Sequence, residues 1–317
     1  MSRTAVVLMN LGGPANQDEV EPFLANLFSD VIRFPWGTFG AGALGRWIAG
    51  RRKLHAQRMY QQIGGGSPIL AETQAQARAL EALLGDGYHV ICAMRYSAPM
   101  IEEVKRELNT ANGPWDRVVA LPLFPQYSYA TTRSCHRVWQ AGEALNDSTT
   151  FIGPFHKHPD YIGSITELIG ETLAGQDDPA AIHIVFSAHS VPVSYIRRGD
   201  VYQTQIQETV DRVMAGLPNP HSLAYQSRIG PVKWLGPAML QHIPDLARQG
   251  IRRVAVVPIA FTCEHLETLY ELDILIRDIA LEAGITSYLR VPAPGVHPRF
   301  IRALADIVQH AERYALP

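Results

Sequence analysis

Short apolar segments recur along the chain, each followed by a polar or glycine-rich turn and an amphipathic stretch. Five of these segments have the pattern of buried strands, at residues 4–11, 89–95, 117–124, 183–186 and 254–261, and residues 223–226 could form a further short strand. Strands buried on both faces lose the alternation of polar and apolar positions, so continuous apolar runs indicate a parallel sheet. The repeated strand–loop–helix order predicts an α/β protein with doubly wound sheets.

One segment in the first half of the chain is similar in sequence to a segment in the second half. Residues 117–127 (RVVALPLFPQY) align without gaps with residues 253–263 (RVAVVPIAFTC), and Pro122 matches Pro258. Both segments end an apolar run on a polar loop that precedes a helix. We therefore expect two similar Rossmann-like lobes that face one another across a cleft, where open α/β sheets place their ligands.

The chain length and composition agree with two medium domains. The 317 residues are 47% hydrophobic and 18% charged, which predicts a sizeable core and argues against global disorder. The turn-rich stretch at 146–154 predicts an N-terminal lobe at 1–148 and a C-terminal lobe at 149–317. A formal net charge of −2 gives no reason to expect nucleic acid as a partner.

The three cysteines, Cys92, Cys135 and Cys263, are far apart and form no CxxC pair. That spacing argues against a disulfide framework or a zinc knuckle and is typical of a reducing cytosol. No apolar window reaches the length of a membrane span, and the N-terminal apolar run is too short for a signal peptide. We therefore expect a cytoplasmic protein.

The stretch at 254–273 (VAVVPIAFTCEHLETLYELD) carries the first candidate chemistry. After the apolar run, Thr262 offers a hydroxyl that could cap a helix, and a helical period begins at Glu264. Glu264, Glu267 and Glu271 fall on one face of that helix. A carboxylate face at the carboxyl end of a buried strand suits a divalent cation or proton transfer, although an ordinary solvated helix face has the same pattern.

The second candidate is His189, which closely follows the strand at 183–186 and lies between Ser187 and Ser190. A neutral imidazole accepts protons near physiological pH and binds borderline metals. His189 and Glu267 follow neighbouring strands, so they could face one crevice, although a histidine there could also be structural. Motifs of serine hydrolases, zinc proteases and Walker-type phosphate-binding loops (GxSxG, HExxH, GK[ST]) do not occur, and the glycines after the strand at 4–11 do not form GxGxxG.

Two glycine-rich stretches suggest ligand contacts. Residues 34–50 are apolar and are followed by Arg51, Arg52 and Lys53, so 34–53 could form a lip over an apolar ligand or on a membrane surface. A buried loop followed by solvated charges would look the same. The IGGGSP loop at 63–68 precedes a helix, where an anion could bind at the helix N-terminus.

Taken together, eight of these segments resemble the ferrochelatases, the enzymes that insert ferrous iron into a porphyrin at the end of haem synthesis. Each segment alone is weakly specific, but their number and order make the joint resemblance highly specific. They run from residue 8 to residue 273 in the family's order: LMNLGGP (8–14), IGGGSPI (63–69), MRYSAP (94–99), FPQYSYATT (124–132), FSAHSVP (186–192), RRGDVY (197–202), QSRIGPVKWLGP (226–237) and PIAFTCEHLETLYELD (258–273).

The resemblance implies the insertion of Fe²⁺ into protoporphyrin IX in the interlobe cleft, with a last helix that packs back on the first lobe. It places the family's metal-site histidine and glutamate at His189 and Glu267, with Glu271 one turn on as a further metal contact or proton relay. Arg51, Arg52 and the 64–67 loop become candidates for the porphyrin propionates. The positions that match the family's porphyrin pocket are Leu11, Ser67, Arg95, Tyr96, Tyr127, Trp234, Phe261 and His265.

The resemblance also predicts which cofactors the protein needs, and it leaves other substrates and functions open. Some family members bind a [2Fe–2S] cluster through a cysteine-bearing C-terminal extension. No cysteine follows Cys263, and Tyr129 stands where those members can carry the other cluster cysteine, so we expect no cluster and no required cofactor. A chelatase for coproporphyrin III or another tetrapyrrole shares this fold, and a non-catalytic porphyrin or haem carrier would use the same cleft.

Overall fold

The computed structural model describes residues 3–31, 41–110, 115–141, 149–228, 230 and 232–316, and this part of the chain alternates strands with helices. The strands are β1 (Thr4–Asn10), β2 (Tyr88–Met94), β3 (Arg117–Pro122), β4 (Thr149–Phe151), β5 (His183–His189), β6 (His221–Gln226), β7 (Arg253–Pro258) and β8 (Ser287–Arg290). The helices before β5 are α1 (Val20–Val31), α2 (Ala41–Gln62), α3 (Ile69–Leu84), α4 (Ile101–Thr110), α5 (Thr132–Gln140) and α6 (Pro159–Leu173). After it come α7 (Val193–Arg197), α8 (Tyr202–Met214), α9 (Met239–Arg248), a π-helix (Glu267–Ile276) that continues into α10 (Arg277–Glu282), and α11 (Pro298–Gln309).

The strands form two parallel four-stranded sheets with the same topology. The first has the order β2-β1-β3-β4 and the second the order β6-β5-β7-β8. The two similar segments, 117–127 and 253–263, provide β3 and β7, which occupy the same place in the two sheets. The predicted fold class, two doubly wound parallel lobes, is confirmed.

The carboxyl edges of the two sheets face each other, and side chains just beyond the strands join them. The Thr262 hydroxyl, after β7, donates to the Leu123 carbonyl after β3 at 3.1 Å. The Asn10 amide at the end of β1 lies 3.5 Å from Cys263 Sγ. The edge at which doubly wound folds bind ligands is therefore enclosed between the lobes.

The last helix crosses between the lobes. Helix α11 packs on α6 and on α3 of the first sheet's layer, and its buried Phe300 lies beside the ring of Tyr161. The Tyr161 hydroxyl in turn donates to the Ile259 carbonyl after β7 at 3.0 Å. The bounds 1–148 and 149–317 stay a prediction, and β4, directly after that boundary, pairs with β3.

The helix predicted from Glu264 begins three residues later than expected. Its first residue is Glu267, it is a π-helix up to Ile276, and Thr262 does not cap it, because the Thr262 hydroxyl bonds to the first lobe. Instead, the Thr268 hydroxyl accepts from the backbone N–H of His265 at 3.0 Å. Within the described residues, no helix is both long and apolar enough to cross a bilayer.

A histidine at the opposite, amino-terminal edge of the second sheet makes the fold sensitive to acid. His183 is buried, and its Nε2 lies 2.9 Å from the Ser222 hydroxyl, which is also 2.7 Å from Nε2 of His242. Burial, followed by the nearby His242 and His221, lowers the pKa of His183 to about 4. Between about pH 6.5 and pH 4, this histidine therefore binds a proton in the unfolded chain but not in the folded chain.

We expect this histidine to make the free energy of unfolding fall as the pH drops. The contribution is complete near pH 7 and is lost progressively below about pH 6.5, by on the order of 2–3 kcal/mol at pH 4. Urea unfolding between pH 7 and pH 4.5 measures it. His183→Gln should flatten the profile relative to His55→Gln, an exposed control on α2. Identical profiles for the two variants would contradict the assignment.

Candidate active site

His189 is the last residue of β5, and its ring is oriented by the next residue. Nδ1 lies 2.6 Å from the Ser190 carbonyl oxygen, and the His189 carbonyl accepts from the Tyr202 hydroxyl at 3.0 Å. Because a carbonyl can only accept, Nδ1 must carry the ring proton, and in the neutral ring Nε2 keeps its lone pair. The half-buried imidazole can therefore present Nε2 to a proton or a metal ion.

The amide of Gln226 connects the strand of His189 to the π-helix. Gln226 ends β6 and is the parallel partner of His189. Its Oε1 accepts from the Ser187 hydroxyl at 2.6 Å, and its Nε2 donates to the Glu267 carbonyl at 2.8 Å and to Glu271 Oε2 at 2.9 Å. Glu267 and Glu271 of the π-helix are therefore fixed relative to β5, the first through its backbone carbonyl and the second through its carboxylate.

Glu271 has a carboxyl group suited to holding a proton. Burial first, and then the charge of Glu267, raise its pKa, whereas the Ser227 hydroxyl, His189 and Gln226 act in the opposite direction. Ser227 reaches Glu271 from a left-handed backbone conformation, with φ +59°, that non-glycine residues adopt rarely. Strain of this kind concentrates at functional sites.

Glu267 lies close to the ring of His265. Glu267 Oε2 lies 3.1 Å from His265 Nε2, and the other ring nitrogen faces the Cys263 carbonyl at 3.1 Å. Both ring nitrogens thus lie near oxygen atoms that can accept a hydrogen bond. The ring of Phe261 packs edge-on against His265, with 4.5 Å between the ring centroids.

The third carboxylate of the predicted acidic face has a different partner. Glu264 pairs with the Arg290 guanidinium and accepts from the Ala293 backbone N–H at 2.9 Å. Burial alone would raise the pKa of Glu264, but Arg290 and the hydrogen bonds keep it below its usual value. Arg290 also binds Asp273 at 2.8 Å, so Glu264 belongs to an ion-pair network rather than to the face shared by Glu267 and Glu271.

The first lobe covers this site with α1 and α2. Tyr60 on α2 is buried, and its pKa is raised by burial and then by the charge of Glu267. Leu11 and Leu266 pack against the same apolar cluster, which also holds Tyr96. Sequence reasoning missed Tyr60, which is separated from the IGGGSP loop by only a few residues but is not itself part of a recognisable motif.

Arg95 and Tyr96 are directed at a carboxylate inside the first lobe. Arg95 is buried and lies 3.0 Å from Asp30, and the Tyr96 hydroxyl donates to Asp30 at 2.8 Å. The Arg95 guanidinium also lies over the Tyr96 ring, 4.7 Å from its centroid. Their contact with a ligand stays a prediction.

Ser67, Tyr127 and Trp234 are half-buried around the cleft. Gly13 must be glycine, because a Cβ there would lie 2.5 Å from that of Ser67. The backbone N–H of Tyr127 donates to Gln205 Oε1 at 2.7 Å, which ties this loop of the first lobe to the second. Among the described residues, the buried Nε1 of Trp234 has no hydrogen-bond partner.

The structure describes only part of the lip predicted at residues 34–53. Residues 34–40 lie outside the described residues. Arg51 is exposed and lies over the ring of Trp47, 5.2 Å from its centroid, whereas half-buried Arg52 lies over Phe28 at 5.8 Å. Lys53 pairs with Glu21 at 2.9 Å, so the basic triplet is not a uniform solvated run.

The described residues contain no three His, Cys, Asp or Glu side chains placed so that they could together hold a metal ion. His189 is near enough to Glu271 for its charge to lower the pKa of that carboxyl, and Glu267 pairs with His265. Two open surface depressions, of about 550 and 350 Å³, lie at the amino-terminal edges of the sheets, near Gly87 and His183, and are remote from this site.

Comparison with known proteins identifies relatives along almost the whole chain. The sequence model of the ferrochelatase family matches residues 3–312. A ferrochelatase of Nostoc sp. is 45% identical over 97% of this chain and 82% of its own length. A ferrochelatase of Trichormus variabilis is 44% identical with the same coverage.

Solved structures agree on the fold. CbiX, described as the terminal enzyme of sirohaem biosynthesis in denitrifying bacteria, superposes with a TM-score of 0.56 at 14% identity, covering 98% of this chain and 99% of its own. SirB from Bacillus subtilis with Fe³⁺ superposes with a TM-score of 0.56 at 11% identity, covering 99% of this chain and 100% of its own. At such identities the likeness supports the architecture alone.

The hydroxyl of Ser227 should control the acidity of Glu271. Ser227→Gly removes a donor to the carboxylate while tolerating the left-handed backbone, so the pKa of Glu271 should rise further. Side-chain ¹³C NMR of labelled glutamate measures the change, with exposed Ser194→Gly on α7 as the control. An unchanged Glu271 titration in Ser227→Gly would show that this hydrogen bond does not set the pKa.

Proposed function

The chain belongs to the ferrochelatase family, and its reaction is the insertion of Fe²⁺ into protoporphyrin IX to form protohaem; we propose that His189 and Glu267, with Glu271, carry out the exchange of protons for metal. The supporting observation is the geometry at the carboxyl edge of the second sheet. Nε2 of His189 has a lone pair, and Gln226, paired with His189 across the sheet, donates to the Glu267 backbone carbonyl and to the Glu271 carboxylate.

The reaction removes two pyrrole N–H protons as one divalent ion enters. His189 Nε2 has a single lone pair, so it can bind the metal or accept a proton, but only one at a time. A second proton acceptor is therefore required nearby. Glu271, with its raised pKa, can receive a proton in exchange with His189, and Glu267 with His265 can pass protons towards the other side of the π-helix.

Imidazole nitrogen and carboxylate oxygen are both ligands for Fe²⁺, which is the substrate here. We assign His189, Glu267 and Glu271 as its successive contacts. The porphyrin would lie between this edge and the first-lobe wall that contains Leu11, Ser67, Arg95, Tyr96 and Tyr127. Trp234, Phe261 and His265 would contact it from the second lobe, with Arg51 and Arg52 as candidates for its propionates. A cleft that bends the macrocycle would expose its nitrogen lone pairs to the metal.

Substitutions of His189 and Glu267 test these roles. His189→Ala should nearly abolish Zn²⁺ or Fe²⁺ insertion, followed by absorbance, while protoporphyrin IX still binds, because apolar walls supply most of the affinity. Glu267→Gln keeps the shape and should lower the rate strongly with little loss of stability. Because residues that act as a unit give non-additive losses, the double variant should be little worse than His189→Ala.

A different result would give His189 a structural role instead of a catalytic one. If His189 only holds the strand-end loop, His189→Ala would lower the melting temperature and porphyrin affinity together. A normal insertion rate per bound porphyrin would then remove His189 from the reaction. Running coproporphyrin III beside protoporphyrin IX in the same assay compares the two substrates.

We also propose that the enzyme contacts an anionic membrane surface through α2. Trp47 and Leu54 are 60% and 68% exposed, and Arg51 and Arg58 lie on the same face because the four positions are spaced by three or four residues. An exposed apolar stripe bordered by arginines suits the headgroup region of a bilayer. The expected cytoplasmic location and the expected absence of a [2Fe–2S] cluster stay predictions.

Vesicle sedimentation tests the α2 contact. The protein should bind vesicles containing phosphatidylserine weakly and in a salt-sensitive way. Arg51→Gln with Arg58→Gln should weaken binding about tenfold or more, because each basic residue near such a surface contributes about 1 kcal/mol. The matched control is Arg78→Gln, an exposed arginine on α3. Equal binding by the double variant and the control would remove the membrane contact.

A further inference from the structure

The proposed reaction makes no use of Asp200, although its side chain is 4% exposed and lies between the lobes. One carboxyl oxygen accepts from the Ser128 hydroxyl at 3.0 Å and from the Tyr129 backbone N–H at 2.7 Å. The other accepts from the Tyr202 backbone N–H at 2.9 Å. The first two donors belong to the loop after β3, and the third to the first turn of α8, so a single carboxylate connects the two lobes.

Two more hydrogen bonds connect the same loop to the same helix. The Tyr127 backbone N–H donates to Gln205 Oε1 at 2.7 Å, and the Gln126 amide donates to the Thr209 hydroxyl at 3.1 Å. Gln205 and Thr209 are one turn apart on α8, so they face the loop together. Residues 126–129 are therefore hydrogen-bonded to α8 at several positions.

The same helix is bonded to the strand end that carries His189. The buried Tyr202 donates its hydroxyl to the His189 carbonyl at 3.0 Å. The backbone N–H of Tyr202 is the group that Asp200 holds. A continuous series of hydrogen bonds thus runs from the Tyr127 loop through Asp200 and Tyr202 to His189.

We propose that Asp200 is a positioning residue that sets the distance between the Tyr127 wall of the cleft and Nε2 of His189. The inference rests on the proposed function, because that distance matters only if a porphyrin lies against Tyr127 while His189 acts on its centre. A reacting group displaced by a fraction of an ångström loses rate while binding is kept. Asp200 therefore acts on turnover through Tyr202 and the loop, without touching the substrate.

The simpler alternative is that Asp200 only caps α8. A capping carboxylate stabilises the helix, and its loss would lower the melting temperature without changing the rate per bound porphyrin. The two accounts differ in whether the loss appears in turnover or in stability alone.

Asp200→Asn separates the two accounts. The amide has almost the same shape, but its NH₂ group would oppose an N–H or O–H donor, so at least one of the three bonds must break. The matched control is Asp211→Asn on α8, where Asp211 accepts only an exposed bond from Gln207 at 2.8 Å. Tyr202→Phe provides a milder second variant, because it removes only the hydroxyl bond to His189.

Three quantities are measured for each variant: the melting temperature, the Kd for protoporphyrin IX by fluorescence quenching, and the rate of Zn²⁺ insertion per bound porphyrin. We expect Asp200→Asn to lower the rate per bound porphyrin about 10- to 100-fold with little change in Kd, as for other residues that orient a metal-site histidine. Tyr202→Phe should lower it roughly 2- to 10-fold, the effect of one hydrogen bond. Asp211→Asn should match the wild type.

Amide hydrogen exchange without substrate gives a second, independent readout. In Asp200→Asn, exchange should accelerate at residues 126–129 and 187–191, and in Asp211→Asn it should not. A rate per bound porphyrin equal to that of Asp211→Asn would overturn the proposal, as would unchanged exchange at 187–191. If Asp200→Asn does not fold, wild-type turnover in Tyr202→Phe would also overturn it. A wild-type protein that inserts no metal would instead contradict the proposed function, and the exchange experiment would still test the link.

Discussion

The side-chain amide of Gln226 determines how the catalytic edge is assembled. Its oxygen accepts from Ser187 on β5, and its nitrogen donates to the Glu267 carbonyl and the Glu271 carboxylate on the π-helix. An amide is the one neutral side chain that can accept from a hydroxyl and donate twice in the same place. This amide therefore joins the strand that carries His189 to the helix that carries Glu267 and Glu271.

The unusual helix geometry follows from the same contacts. The Glu267 carbonyl accepts from Gln226, and the chain before it is held by Thr262, which bonds to the first lobe, and by Glu264, which pairs with Arg290. Because of these contacts, the helix begins only at Glu267 and has the wider π form, which is commonly found at functional sites. Glu267 and Glu271 then lie one turn apart with different environments, one paired with His265 and one buried beside His189.

The sequence was sufficient for the architecture but not for the partners of the polar side chains. Continuous apolar runs predicted the parallel sheets, and the match of 117–127 with 253–263 predicted their common topology, because both patterns depend on local burial. The short strands β4 and β8 were missed, since three or four residues carry too little periodicity. The separation of Glu264 from Glu267 was not predictable, because it depends on Arg290, which is distant in sequence. Ser227 and Tyr60 matter through tertiary contacts that no spacing reveals.

The protonation state of His189 tests the central claim most directly. If Nδ1 donates to the Ser190 carbonyl and leaves Nε2 with its lone pair, long-range ¹H–¹⁵N NMR near pH 7 should show the Nδ1–H tautomer for this ring. The protein would carry ¹⁵N-labelled histidine, with His189→Ala used to assign the signal. A predominantly Nε2–H tautomer would contradict the account, because Nε2 would then have no lone pair for a pyrrole proton or for iron.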